Sequence, residues 1–89
     1  MPRGAREKPK RLAEKLLQIR QALGLSQSEM LRRLGADDRM AYHRISEFES
    51  GKGEPSLLIL LQYARAAGVH MEEIVDDEMD LPAKLKSRR

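Results

Sequence analysis

The sequence predicts an all-α domain, a compact bundle of five short helices. Three observations predict it. Apolar residues recur at spacings of three and four along most of the chain, which is the repeat of one helix face. Gly24, Gly35, Gly51, Gly53, Pro55 and Gly68 cut these runs into pieces of helical length. No stretch alternates apolar and polar residues with the period of two that a half-buried strand requires, and no internal repeat is present.

Residues 1–10 carry Pro2, Gly4 and Pro9 without apolar periodicity and read as a flexible basic N-terminal arm. From Arg11 the pattern is helical. Leu12, Leu16, Ile19 and Leu23 form one stripe, and Gly24 occupies the usual stop position. Ser26 opens a second helix. In Ser26-Gln27-Ser28-Glu29 the serine oxygen can accept from the Glu29 amide while the Glu29 carboxylate reaches back, a capping box. Met30, Leu31 and Leu34 face inward and Gly35 ends the helix. At about two turns it needs neighbours to be stable. Asp37 and Asp38 are candidate caps for a third helix, with Ala41, Ile45 and Phe48 inward and Arg39, Tyr42, His43, Ser46, Glu47 and Ser50 outward. The run Gly51-Lys52-Gly53-Glu54-Pro55 breaks the chain. Ser56 then caps a fourth helix through about Ala67, with Leu57, Leu60, Leu61 and Ala64 inward and Gly68 as its stop. A short fifth helix, about His70 to Val75, offers Met71, Ile74 and Val75. The domain therefore spans residues 11–75, and residues 76–89 form an acidic then basic tail.

Eighty-nine residues allow one small domain with tails and leave little room for a deep substrate cavity. The absence of cysteine excludes disulfides, thiolate metal sites and thiol chemistry and suits a reducing cytoplasm, the expected location. No apolar run is long enough for a membrane span, and no apolar signal core follows the basic N-terminus. An aromatic content of 3% means an aliphatic core. The net charge of +3 hides a strong pattern: residues 1–24 carry +5, 25–71 carry 0, 72–80 carry −6 and 81–89 carry +4. Basic ends suit contact with nucleic acid, whereas the acidic block would be repelled by it. That block is expected on the face opposite the third helix, as a solvated tail, or folded back on a basic arm. His43 and His70 lie on different elements without partner ligands, and no nucleophile elbow or phosphate-cradling loop is present, so no metal, cofactor or catalytic residue is expected.

The second helix, the Gly35 turn and the third helix match the plan of a helix-turn-helix. The segments Gly24-Leu25-Ser26-Gln27, Leu34-Gly35, Ile45-Ser46, Phe48-Glu49, Gly51-Lys52, Pro55-Ser56-Leu57 and Ala67-Gly68-Val69 carry a specific resemblance. Over roughly residues 12–75 the chain resembles the Cro/CI-type helix-turn-helix family, also called the xenobiotic response element family, with the lambda repressor-like fold. The resemblance implies a DNA-binding, transcription-regulating domain with no catalysis.

It also implies roles. Gln27, with Ser28 beside it, matches a phosphate contact at the start of the second helix. Tyr42, His43, Arg44, Ser46 and Glu47 match positions near bases or phosphates, Lys52 matches a backbone contact, and Arg39 is a further candidate DNA contact beside them. For Arg39, His43 and Arg44 the plainer reading is a solvated face, and for Tyr42 it is packing against the loop. For Glu47 a surface salt bridge competes with acceptance from a cytosine amino group. Arg20 and Glu49 match a structural ion pair between the first and third helices, and removing one partner of a shielded pair costs ~3–5 kcal/mol.

The chain departs from the family in three places. About four additional residues lie within Ala36 to Arg44, so either the third helix gains a turn or the loop before it is longer. Gly53-Glu54 replaces basic or amide residues, and His70 stands where Ser or Thr usually caps.

Leu57-Leu58-Ile59-Leu60-Leu61 is apolar nearly all round, and the positions of Leu58 and Ile59 are commonly polar in the family. Leu58 and Ile59 are therefore read as a dimer interface, with burial under the fifth helix or the acidic tail as the alternative. The expected partners are duplex DNA and a second copy of the chain, with no membrane and no small-molecule substrate. The competing function is a protein-interaction module, antitoxin-like, on the same fold. Arg3, Arg6, Lys8, Lys10 and Arg11 form the expected electrostatic arm.

Overall fold

A computed structural model describes residues 8–85. Arg3 and Arg6 of the expected arm lie outside the described residues, as do residues 86–89. Five helices follow in order: α1 (Leu12–Leu23), α2 (Gln27–Arg33), α3 (His43–Ser50), α4 (Leu57–Ala67) and α5 (Met71–Val75). Among the described residues there is no strand, and no helix is long and apolar enough to cross a membrane.

The local signals act as their chemistry requires. Gly24 and Gly68 adopt φ of 71°, a left-handed conformation that costs glycine little, and so end α1 and α4. The Ser26 hydroxyl accepts from the Glu29 amide at 3.0 Å while the Glu29 carboxylate accepts from the Ser26 amide at 2.8 Å. The Ser56 hydroxyl accepts from the Ile59 amide at 3.2 Å. At α5 the Glu73 carboxylate accepts from the His70 amide at 2.9 Å, the half of a capping box that does not need a Ser or Thr.

α1 lies across α3, α4 and α5, and α2 packs on α3. Leu16, Ile19, Met30, Ile45, Phe48, Tyr63 and Ile74 are buried where the five helices meet.

Three expectations are corrected. α3 begins at His43, so of the two alternatives for the additional residues the longer loop is the one found, and what is corrected is the caps and the inward face expected before it. Residues 37–39 are a turn in which the Ala36 carbonyl accepts from the Arg39 and Met40 amides, both at 3.0 Å. Asp37 and Asp38 are exposed turn residues, not caps, and Ala41 is exposed while Met40 packs on the core. This arrangement covers the larger apolar side chain of the two, which favours it.

α4 is also rotated from the expected face. Leu57 and Leu58 are 74% and 72% exposed, whereas Ile59 is 5% exposed and belongs to the core. The deciding residue is Tyr63, fully buried, whose ring brings Ile59 and Ala66 inward at helical spacing.

The acidic block is not a solvated tail. Residues 76–81 fold back on the start of α1, and Leu81 is buried. α1 has no cap side chain of its own, and the Asp77 carboxylate supplies one by accepting from the Lys10 amide at 2.8 Å and the Arg11 amide at 3.0 Å. In exchange, the buried Lys15 ammonium donates to the carbonyls of Glu73, Asp76 and Met79 at 2.9, 2.8 and 2.7 Å, closing the end of α5 and the turn after it. α1 and the C-terminal segment thus cap each other.

Candidate nucleic-acid interface

Recognition of duplex DNA requires a helix anchored by one face and free on the other. α3 meets this through its own periodicity. Ile45 and Phe48 are buried, which turns His43, Ser46 and Ser50 outward, and Tyr42 precedes them at the N-cap with 58% exposure. The Tyr42 and His43 rings meet edge to face with centroids 6.5 Å apart. Lys52 follows in the loop after α3 and is exposed. The loop is held to the helix because the Lys52 and Gly53 amides donate to the Glu47 carbonyl at 3.0 and 3.1 Å.

The remaining expected contacts are placed differently. The Arg44 guanidinium is paired with the Glu47 carboxylate and lies 5.3 Å from the centre of the Phe48 ring. Both side chains are thus spent along their own helix, the plainer of the two readings of Glu47. Arg39 belongs to the long turn and not to α3. Its guanidinium donates to the Gly35 carbonyl at 3.3 Å and lies 3.9 Å from the Asp38 carboxylate.

Gln27 and Ser28 open α2, with Gln27 half-buried and Ser28 exposed. The Glu29 carboxylate shares this helix end. Its pKa is held below the ordinary range, first by the Ser26 amide and then by the Ser26 hydroxyl. It is therefore ionised near neutral pH, so a phosphate would have to approach from the Gln27–Ser28 side.

Arg20 and Glu49 are brought together as one fork-to-fork pair, with nitrogen–oxygen distances of 2.6 and 3.0 Å. A third Arg20 bond reaches the Leu25 carbonyl at 3.0 Å, so the pair fixes α1, α3 and the entry to α2 relative to one another.

Arg11 does not extend from the domain as an arm residue. It donates to the Asp77 and Met79 carbonyls at 3.1 and 3.4 Å and to the Asp80 carboxylate at 2.7 Å. Lys15, Asp77 and this use of Arg11 escaped sequence reasoning. One signal existed for Lys15, which falls three residues after Leu12 and four before Ile19, on the buried stripe of α1. Asp77 carried no local signal.

Among the described residues no group of three His, Asp or Glu side chains could hold a metal ion.

The comparisons agree with this geometry. The profile of the family described as helix-turn-helix matches residues 16–74. No curated protein matches the chain. A solved structure titled SinR protein/SinI protein complex is 22% identical, with a TM-score of 0.64 over 75% of this chain and 62% of that one. The chain thus spans less than two thirds of that protein's chain, and the likeness is one of fold. A profile match over more than half of the sequence, on five helices with an outward α3, establishes that the chain belongs to the Cro/CI-type helix-turn-helix family of DNA-binding domains, a non-catalytic family with the lambda repressor-like fold.

Proposed function

We propose that this domain reads duplex DNA by placing α3 in the major groove, and that it acts as a transcriptional regulator. The observation that carries the reading is the outward stripe of Tyr42, His43 and Ser46 opposite the buried Ile45 and Phe48. Tyr42, His43 and Ser46 face bases or nearby phosphates, while Gln27, Ser28 and Lys52 hold the backbone on either side. Arg44 and Glu47 act as a pair that stiffens α3, and either enters the groove only by giving up the other.

The test is binding to duplexes selected from a random pool, in competition with nonspecific DNA. His43→Ala should relax preference at one position by ~1–3 kcal/mol, while Gln27→Ala should weaken all sequences alike. If neither change alters binding, α3 does not occupy the groove.

The second copy of the chain pairs through Leu57 and Leu58, exposed on the first turn of α4. A groove beside them is lined by Leu34, Arg39, Met40 and Leu58. Arg39 and Asp38 sit together at this edge, and a patch bearing both signs of charge can pair with itself across a two-fold axis. Leu58→Glu should turn a dimer into a monomer in sedimentation equilibrium. A wild-type monomer would assign this face to a different protein.

A further inference from the structure

We propose that Asp77 is a positioning residue for DNA binding. It pins the backbone at Lys10 and Arg11, so that Lys8 and Lys10 stand with Lys52 as a second phosphate-contacting ridge at the C-terminal end of α3. The inference rests on the DNA-binding reading and adds a surface to it.

From Lys8 to Lys15 the basic side chains are held in two states. Arg11 and Lys15 are consumed by the C-terminal segment, the first by two carbonyls and the Asp80 carboxylate, the second by three carbonyls. Lys8 and Lys10 remain exposed. The Asp77 carboxylate on the Lys10 and Arg11 amides fixes the backbone at Lys10, two residues after Lys8. Those two bonds, Lys10 first, also hold the Asp77 carboxyl below its ordinary range.

This anchored segment runs beside the loop that follows α3. Lys8, Pro9 and Lys10 form one wall of a groove whose other walls are Leu12 and Ala13 of α1 and Phe48, Gly51, Gly53 and Glu54. Lys52 lies in that same loop, tied to α3 through the Glu47 carbonyl. Lys8 and Lys10 thus stand across this groove from the loop that carries the exposed Lys52, with Glu54 on the loop side. A basic segment fixed during folding loses less entropy on meeting phosphates than one that must be ordered at that moment.

The proposal has a distinctive sign. Deleting a carboxylate from a DNA-binding protein ordinarily strengthens binding, because it makes the surface more positive. Deleting the one at Asp77 should weaken it. The full chain, Asp77→Ala and Glu78→Ala are compared by fluorescence anisotropy on a selected duplex, from about 50 to about 200 mM salt. Glu78 is exposed in the same segment and carries the same charge, so it controls for electrostatics alone.

Asp77→Ala should flatten the log–log salt dependence by about one to two units and weaken affinity by up to about fivefold for each phosphate that the lysines no longer reach. Glu78→Ala should keep the wild-type slope with equal or tighter binding. The Lys8→Ala/Lys10→Ala double variant should show the same flattening, and adding Asp77→Ala to it should cost nothing more.

Binding by Asp77→Ala as tight as wild type, with an unchanged slope, overturns the proposal. Circular dichroism verifies that the variant is folded. If it is not, the lysine double variant decides, and an unchanged slope there overturns the proposal equally. Loss of binding in Gln27→Ala with none in Asp77→Ala would leave the DNA-binding reading intact and remove only this inference.

Discussion

Replacing Lys15 by methionine tests the mutual capping of α1 and the C-terminal segment. The two side chains are similar in length and apolar along the stem, so packing beside Leu12, Leu16 and Ile19 is kept while every donor is removed. Three carbonyls lose the ammonium: that of Glu73 is left without a donor, that of Asp76 keeps the Met79 amide at 3.0 Å, and that of Met79 keeps the Arg11 guanidinium at 3.4 Å. An acceptor left without a partner in a buried place costs ~1–3 kcal/mol. Because the Asp76 and Met79 carbonyls each keep another donor, the low end of that range applies to each lost bond and the sum is about 3 kcal/mol. Against this stands the relief of no longer dehydrating an ammonium ion, which offsets part of the loss. The net expectation is a loss of about 2 kcal/mol, or roughly 8–16 °C in Tm for a domain of this size. Thermal unfolding followed by circular dichroism measures it. An unchanged or higher Tm would mean that ion dehydration cancels all three bonds, and that the buried lysine does not contribute to holding the C-terminal segment.

Two further outcomes follow from buried and capped groups. The Tyr63 hydroxyl is buried without a hydrogen-bond partner among the described residues, and burial, with the Glu49 charge nearby, pushes its pKa upward. Tyr63→Phe should therefore raise Tm by several degrees, about 1 kcal/mol, and a fall would reveal a partner for that oxygen. Asp77 and Glu29 both have carboxyl pKa values below the ordinary range, each through backbone amides. The stability they confer is complete above the unfolded carboxyl pKa and is lost as pH falls through the lower folded one. Urea midpoints should then decline between about pH 5 and about pH 3, and Asp77→Asn should show a shallower decline. Equal slopes for the two proteins would exclude Asp77 as a source of the acid sensitivity.

The candidate site was legible unevenly, for reasons that differ by residue. His43 and Ser46 face outward because Ile45 and Phe48, within five residues of them, carry the helical period. Arg20 and Glu49 are 29 residues apart, and only the resemblance to a family named them together. The pairing of Arg44 with Glu47 is a three-residue contact that the sequence permitted, but so did an extended arginine, and the Phe48 ring beneath the guanidinium favours the folded-back form. In the sequence Leu58 and Ile59 look alike, because adjacent leucine-like residues carry no label of direction. A helix rotates as a unit, and the burial of Tyr63 turned one of them in and the other out.

By itself the sequence determined what can be settled within a turn or two of chain. The glycine stops, the serine caps at 26 and 56, the five-helix count and the inward faces of α1 and α3 all depend on bonds or contacts spanning a few residues. The tertiary structure decided what depends on surfaces meeting. The Asp77 carboxylate caps a helix 66 residues away, and Lys15 closes carbonyls 58 to 64 residues away. Such partners are chosen by how packed helices bring their ends together, and a donor's need for an acceptor is the same wherever along the chain that acceptor lies.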